Sequence, residues 1–192
     1  MKQIYNEIVA RLLSAIETDV HAWEMPWNTD NYPNTAKAIE HAETVFNAYY
    51  RHEHITFTEK EQNQSFYAPD RDAIILPEKR QFKSTGAYYA TKAHETIHST
   101  GDYTRCNRQT FNEYTSFQFG DTKYSKEELT AEIGACFLLA DLGVDTTYAE
   151  HNAAAYVQNW LTNLNGNTNW IYRAGVLASD AVEYILESAE RG

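Results

Sequence analysis

The sequence predicts an α+β domain in which a small, mostly antiparallel sheet packs on one helix and the C-terminal half is helical. Three observations carry that expectation. Apolar residues recur at helical spacing near both ends of the chain, and short β-branched and aromatic segments cluster between residues 54 and 77. Between these regions, a helix over about residues 86–100 presents His94, Glu95 and His98 as an HExxH pattern. With 192 residues and 43% hydrophobic content, the chain is long enough to bury one core.

Taken in order, Ile4, Ile8, Leu12 and Ile16 place one apolar stripe on a first helix over residues 2–18. WEMPW (23–27) stops it, because Pro26 lacks a backbone donor and blocks the next helical turn, and NTDNYPN reads as a loop. A second helix over residues 35–51 carries Ile39, Ala42, Phe46 and Tyr49 on one face. HITFT (54–58) and SFYAP (65–69), separated by the polar EKEQNQ, read as a hairpin, with DAIILP (72–77) as a third strand. That third strand is either the sheet edge to which an extended peptide adds or part of the sheet core. Ser84 or Thr85 caps the HExxH helix, and Gly101 ends it in the left-handed conformation. Residues 101–124 then read as a long loop with Phe111, Tyr114, Phe117 and Phe119. Ser125 opens a helix that runs to about Leu142 and ends at Gly143, and two more follow near 147–164 and 170–190.

Composition narrows the function classes. A net charge of −11 opposes non-specific binding of nucleic acid, whose affinity comes chiefly from Lys and Arg releasing counterions. A local basic cluster remains in Lys79, Arg80, Lys83, Lys92, Arg105 and Arg108, interleaved with Tyr88, Tyr89 and Tyr103, a pattern that suits single strands. The longest apolar run, ACFLLA (135–140), is far short of the roughly 20 residues of a membrane span. The amino terminus lacks the apolar stretch of a secretory signal, so a cytoplasmic setting is expected, with no membrane partner. Cys106 and Cys136 form no CxxC pair and imply neither a disulfide framework nor a cysteine metal site.

The HExxH pattern carries the chemistry. Histidines at i and i+4 project from one helical face, so His94 and His98 can reach a single cation, and Glu95 can act as general base toward water. A catalytic zinc site needs a third protein ligand. The extended pattern HExxHxxGxxH would supply it ten residues after the first histidine, but Thr104 stands there. The alternative is SKEELTAEIGACFLLADLG, whose buried face is defined by Leu129, Ile133, Cys136, Phe137 and Ala140. Glu128 and Glu132 lie one turn apart near that face, where a carboxylate is costly unless paired or bound to a cation. Glu128 is assigned as ligand and Glu132 as the group that hydrogen-bonds a ligand histidine, with the reverse assignment open. Glu128 also completes a capping box with Ser125, and Glu127 reads as plain surface.

YYATKAHETIHSTGDYTRCNR (88–108), YSKEELTAEIGACFLLADLG (124–143) and HNAAAYVQNW (151–160), in that order, resemble the zincin-like metallopeptidase domain of ArdC-type antirestriction proteins, found also in conjugative primases and phage polyvalent proteins. The resemblance covers about residues 65–190 and departs from the family pattern at Ser99 and Asp102. It implies Zn2+ or another divalent metal held by His94, His98 and one of Glu128 or Glu132, Glu95 as base, and a peptide or protein substrate. His151, in the position of the family's NHAAY-like motif, is an oxyanion-stabilising candidate. IYNEIVARLLSAIETDVHAWEMPW looks like the start of the family's single-stranded-DNA-binding domain, while NTAKAIEHAETVF looks like the peptidase lead-in helix. The implied division is 1–30 as a remnant of the DNA-binding domain and 31–192 as the metallopeptidase domain. The resemblance thus implies a metal-activated water that hydrolyses a peptide bond. Its rival is a non-catalytic antirestriction protein with a structural metal, binding single-stranded DNA through Lys79, Arg80, Lys83, Arg105 and Arg108.

Overall fold

The computed structural model describes residues 2–17, 36–114, 122–163 and 169–192, without the side chains of 15–17, 113–114, 122–125 and 156–163. The WEMPW and NTDNYPN segments, Phe117 and Phe119 lie outside the described residues, as does the side chain of Tyr114. Along the chain run α1 (Gln3–Glu17), α2 (Ala36–His52), β1 (Thr56–Lys60), β2 (Phe66–Ala68), β3 (Ala73–Pro77) and α3 (Thr85–Ser99). They are followed by α4 (Gln109–Tyr114), α5 (Thr122–Asp141), α6 (Thr147–Asn163) and α7 (Asn169–Arg191). The α+β class is therefore borne out, and the long helices start and stop within three residues of the sequence reading.

The sheet differs from the expectation. Its order is β1-β3-β2, with β1 parallel to β3 (Thr56↔Ala73 to Lys60↔Pro77) and β2 antiparallel to it (Phe66↔Ile75 to Ala68↔Ala73). It is mixed rather than mostly antiparallel, the hairpin joins β2 to β3 rather than β1 to β2, and DAIILP is the central strand rather than an edge. Burial explains the order. Ala73, Ile74, Ile75 and Leu76 are all buried, as a strand covered on both faces requires, whereas β1 is polar and largely exposed, which suits an edge. The β2–β3 turn passes through Asp72 in the left-handed region (φ 44°).

Helix α5 is the axis of the molecule. It packs against α1, α3, α4, α6 and α7, and from Leu129 to Leu139 only Glu132 is more than marginally exposed. Helix α1 docks there with Tyr5, Ile8, Val9 and Leu12 buried, and the Tyr5 ring lies parallel to Phe137 with centroids 4.0 Å apart. Where α3 crosses α5 the helices approach at Gly134, whose missing Cβ would stand 2.9 Å from Ile97.

Residues after α3 correct two further expectations. Gly101 does not adopt the left-handed conformation; among the described glycines only Gly143 does, at φ 68°. Gly101 is required for space instead, because any Cβ there would overlap the buried Phe111 ring. The segment expected as a long loop contains α4, whose Phe111 plugs the core beside Tyr67.

Candidate metal centre

Ser84 caps α3 by accepting a hydrogen bond from the Ala87 backbone N–H at 3.0 Å, which fixes the start of the helix. Ten residues on, His94 and His98 project together, their rings edge to face with centroids 4.7 Å apart. Helix α5 brings Glu128 against both. Glu128 Oε2 lies 3.5 Å from His94 Nε2, Glu128 Oε1 lies 3.5 Å from His98 Nε2, and the two Nε2 atoms are 3.1 Å apart.

These separations, the two carboxylate ones made through different Glu128 oxygens, are comparable to the spacing of ligand atoms around a bound cation. A cation with bonds of about 2.0–2.2 Å sets neighbouring tetrahedral ligand atoms roughly 3.3–3.5 Å from one another. One nitrogen from each histidine and one Glu128 oxygen are the atoms that converge, within 4.8 Å of each other. Two imidazoles and a carboxylate form a donor set suited to zinc and other divalent first-row metals, and three protein ligands leave a fourth position open.

Each imidazole is held from behind by a different carboxylate of α5. His94 Nδ1 stands 3.5 Å from Glu132 Oε1, so Glu132 meets the nitrogen that faces away from Glu128, and it is not among the converging atoms. His98 Nδ1 stands 3.4 Å from Glu127 Oε1. Glu127, expected at the surface, is fully buried. Its carboxylate accepts from Arg108 Nη2 at 2.5 Å, Arg108 Nε at 3.2 Å and Thr110 Oγ1 at 2.6 Å. Arg108 also donates to the Ile97 carbonyl at 2.8 Å and to Thr100 Oγ1, tying this carboxylate to the end of α3.

Protonation follows from these contacts. Burial lowers the basicity of both histidines, but the Glu132 and Glu128 carboxylates outweigh it at His94 and hold its pKa well above the usual range. At His98, Glu127 and Glu128 likewise prevail over burial and raise it to about 9. Glu128 is held far below the ordinary carboxylate range by hydrogen bonds from the two imidazoles, despite its burial. Burial also opposes ionisation at Glu127, yet Arg108 and His98 bring its pKa down to about 2.

Glu95 is the exception among these acids. It is buried beside the histidines, and desolvation raises its pKa despite their positive field and a hydrogen bond from the Tyr67 backbone in β2. A carboxylate with raised basicity next to a three-ligand cluster is placed to act as a general base.

The remaining sequence candidates are dispersed. His151 is exposed near the start of α6 and is not part of the converging group. Lys79, Arg80 and Lys83 are exposed, with Arg80 paired to Glu78 and Glu61. Arg105 and Arg108 do not present their charges to a ligand. Arg105, its side chain 3% exposed, binds Glu53, Asp72 and the Ser99 carbonyl, and Arg108 is spent on Glu127. Lys92 is buried too, its ammonium bonded to Glu43 at 2.8 Å and lying 4.6 Å from the Phe57 ring centroid. Half of the basic cluster read from the sequence, Lys92, Arg105 and Arg108, is therefore internal.

A family model described as a zincin-like metallopeptidase matches residues 40–177. The chain belongs to this family. Among curated relatives, the DNA primase TraC of Escherichia coli is 37% identical over 150 residues, covering 75% of this chain and 10% of the primase. The uncharacterised protein y4eC of Sinorhizobium fredii (strain NBRC 101917 / NGR234) is 30% identical over 123 residues, covering 64% of this chain and 38% of that protein. Among solved structures, the antirestriction protein ArdC from plasmid R388 in its Mn(II)-bound form matches with a TM-score of 0.57 and 34% identity, over 75% of this chain and 51% of that one. Its metal-free structure matches with the same TM-score. The chain thus spans about a tenth of the primase and about half of ArdC. Among the described residues, no helix is long and apolar enough to cross a membrane.

Proposed function

We propose that this chain is a metal-dependent peptidase of the zincin-like type, with Zn2+ as the expected ion, held by His94, His98 and Glu128. The observation that carries the reading is the convergence of one nitrogen from each histidine and one Glu128 oxygen, within 4.8 Å of one another, beside the buried Glu95. When bound, a divalent cation polarises the scissile carbonyl and acidifies a water molecule.

The chain's own residues do the rest. Glu95 takes a proton from the attacking water at its carboxylate, a step its raised pKa favours, and then passes it to the departing amine. Glu132 and Glu127 keep the two imidazoles turned so that their Nε2 atoms face the cluster. The Tyr67 backbone holds Glu95 from the sheet side. Because the relatives include a protein named for antirestriction, we place this activity in a cytoplasmic antirestriction setting, with a protein as substrate. The Mn(II) bound in the ArdC structure also supports a divalent cation here.

Glu95→Gln tests the assignment. The variant should bind Zn2+ as the wild type does and lose hydrolysis of an unfolded protein such as casein by about 10²–10⁴-fold. Undiminished turnover would refute it.

A second reading, a DNA-binding protein with a structural metal, is favoured by the names of the primase and antirestriction relatives. It would have to rest on Lys79, Arg80 and Lys83, since Arg105 and Arg108 are internally paired. Gel-shift affinity for a single-stranded oligonucleotide that falls steeply with salt would support it. No binding at low salt would remove it.

A further inference from the structure

A cleft of about 580 Å³ opens between α4, α5 and α7, away from the metal cluster. Thr110, Lys126, Trp170, Arg173, Val176 and Leu177 line it, and a narrow extension runs inward to Leu129 and Ala174. The volume falls in the range of about 300–1,000 Å³ usual for ligand sites. Val176, 52% exposed, gives the cleft an apolar wall that faces solvent.

Two cations meet on its Trp170 wall. The Lys126 ammonium lies 3.7 Å from the Trp170 ring centroid and the Arg173 guanidinium 5.1 Å from it. Among the described residues neither the half-buried Lys126 nor the exposed Arg173 has a carboxylate partner, in a protein of net charge −11. Two unneutralised cations on one indole, next to apolar Val176 and Leu177, complement a carboxylate that neighbours a large apolar group.

Two features separate a peptide from a nucleic acid as the occupant. Lys126 covers one face of Trp170, which removes one of the two faces on which a base could stack. A long polyanion would also meet the repulsion of the whole acidic chain, whereas a short acidic segment feels mainly the two local cations. We propose that this cleft binds an acidic–apolar peptide segment, with its carboxylate at Lys126 and Arg173 and its apolar side chain on Val176 and Leu177. The site is independent of the peptidase reading. Thr110 nonetheless belongs both to the cleft wall and to the hydrogen bonds of Glu127, so an occupant would sit one side chain away from the group behind His98.

Fluorescence anisotropy with a fluorescein-labelled Glu-Leu-Phe-Glu-amide peptide tests this, with Gln-Leu-Phe-Gln-amide and a labelled oligothymidylate as comparison probes. The acidic peptide should bind wild type at least about tenfold more tightly than its glutamine counterpart, with affinity falling as salt rises. Lys126→Met combined with Arg173→Met, which keeps the apolar stems, should remove that preference, and Val176→Asp should weaken binding of both peptides. Unchanged melting temperatures would show that the variants fold. Equal binding of the two peptides, binding untouched by the double variant, or no binding at about 1 mM peptide, the affinity of a marginal complex, would overturn the proposal. Variant-sensitive binding of the oligothymidylate alone would overturn the choice of partner.

Discussion

Replacing Glu127 with Gln removes one charge from a fully buried site and changes almost no volume, so its cost can be worked out from the contacts. The carboxylate accepts from four donors, two on Arg108, one on Thr110 and one on His98. A glutamine offers one acceptor oxygen, and its amide group would point donor against donor at the rest. Breaking a buried ion pair from one side costs about 3–5 kcal/mol, because the other charge stays behind. The proton equilibrium gives a similar figure. Moving a carboxyl pKa from its ordinary 4.5 to about 2 corresponds to about 3 kcal/mol of stability. The sign follows from the depressed value. This stability is fully present above about pH 4.5 and is lost as the pH falls toward about 2, where the protonated wild type comes to resemble the variant. Urea unfolding of the metal-free proteins between pH 7 and pH 2.5 would measure it. The gap between wild type and variant should be about 3 kcal/mol at pH 7 and should close on acidification. A gap under about 1 kcal/mol at pH 7, the range of an exposed pair, or one that does not change with pH, would refute the reasoning.

Two other substitutions probe how packing sets the site. Gly134→Ala places a methyl group 2.9 Å from Ile97 and should push α3 from α5, weakening metal binding by about tenfold, with Ile97→Val restoring part of the loss; calorimetric titration with Zn2+ would show it. Gly101→Ala should cost about 1–3 kcal/mol or more in thermal unfolding through displacement of Phe111, and the combination with Phe111→Leu should lose less than the two single effects together.

The parts of the site that were legible in the sequence are those with local spacing. His94, Glu95 and His98 share one helix, and Glu128 and Glu132 are one turn apart on another, so periodicity put each group on one helical face, and the need for a third metal ligand suggested that the faces meet. Glu127 escaped because its partners, Arg108 and Thr110, are 19 and 17 residues away and cover a side of α5 that helical periodicity marked as solvent. A helix surrounded by five others has no polar face to read. The same blindness to distant partners turned Arg105 and Arg108 into an apparent basic surface, since Asp72, Glu53 and Glu127 were not visible as their neighbours. Strand order was lost for a related reason. The polar segment between β1 and β2 looked like a hairpin turn, but the continuous apolar run of β3, buried on both faces, claimed the centre of the sheet.

Direct titration of the metal-free protein with Zn2+ and Mn2+, repeated on His98→Ala, Glu128→Gln and Glu132→Gln, asks whether the converging atoms hold a cation. One ion per wild-type chain is expected, with affinity lost in His98→Ala and Glu128→Gln and reduced only about ten- to hundredfold in Glu132→Gln. Binding of one ion with full affinity in both His98→Ala and Glu128→Gln, or no binding by the wild type, would contradict the three-ligand centre.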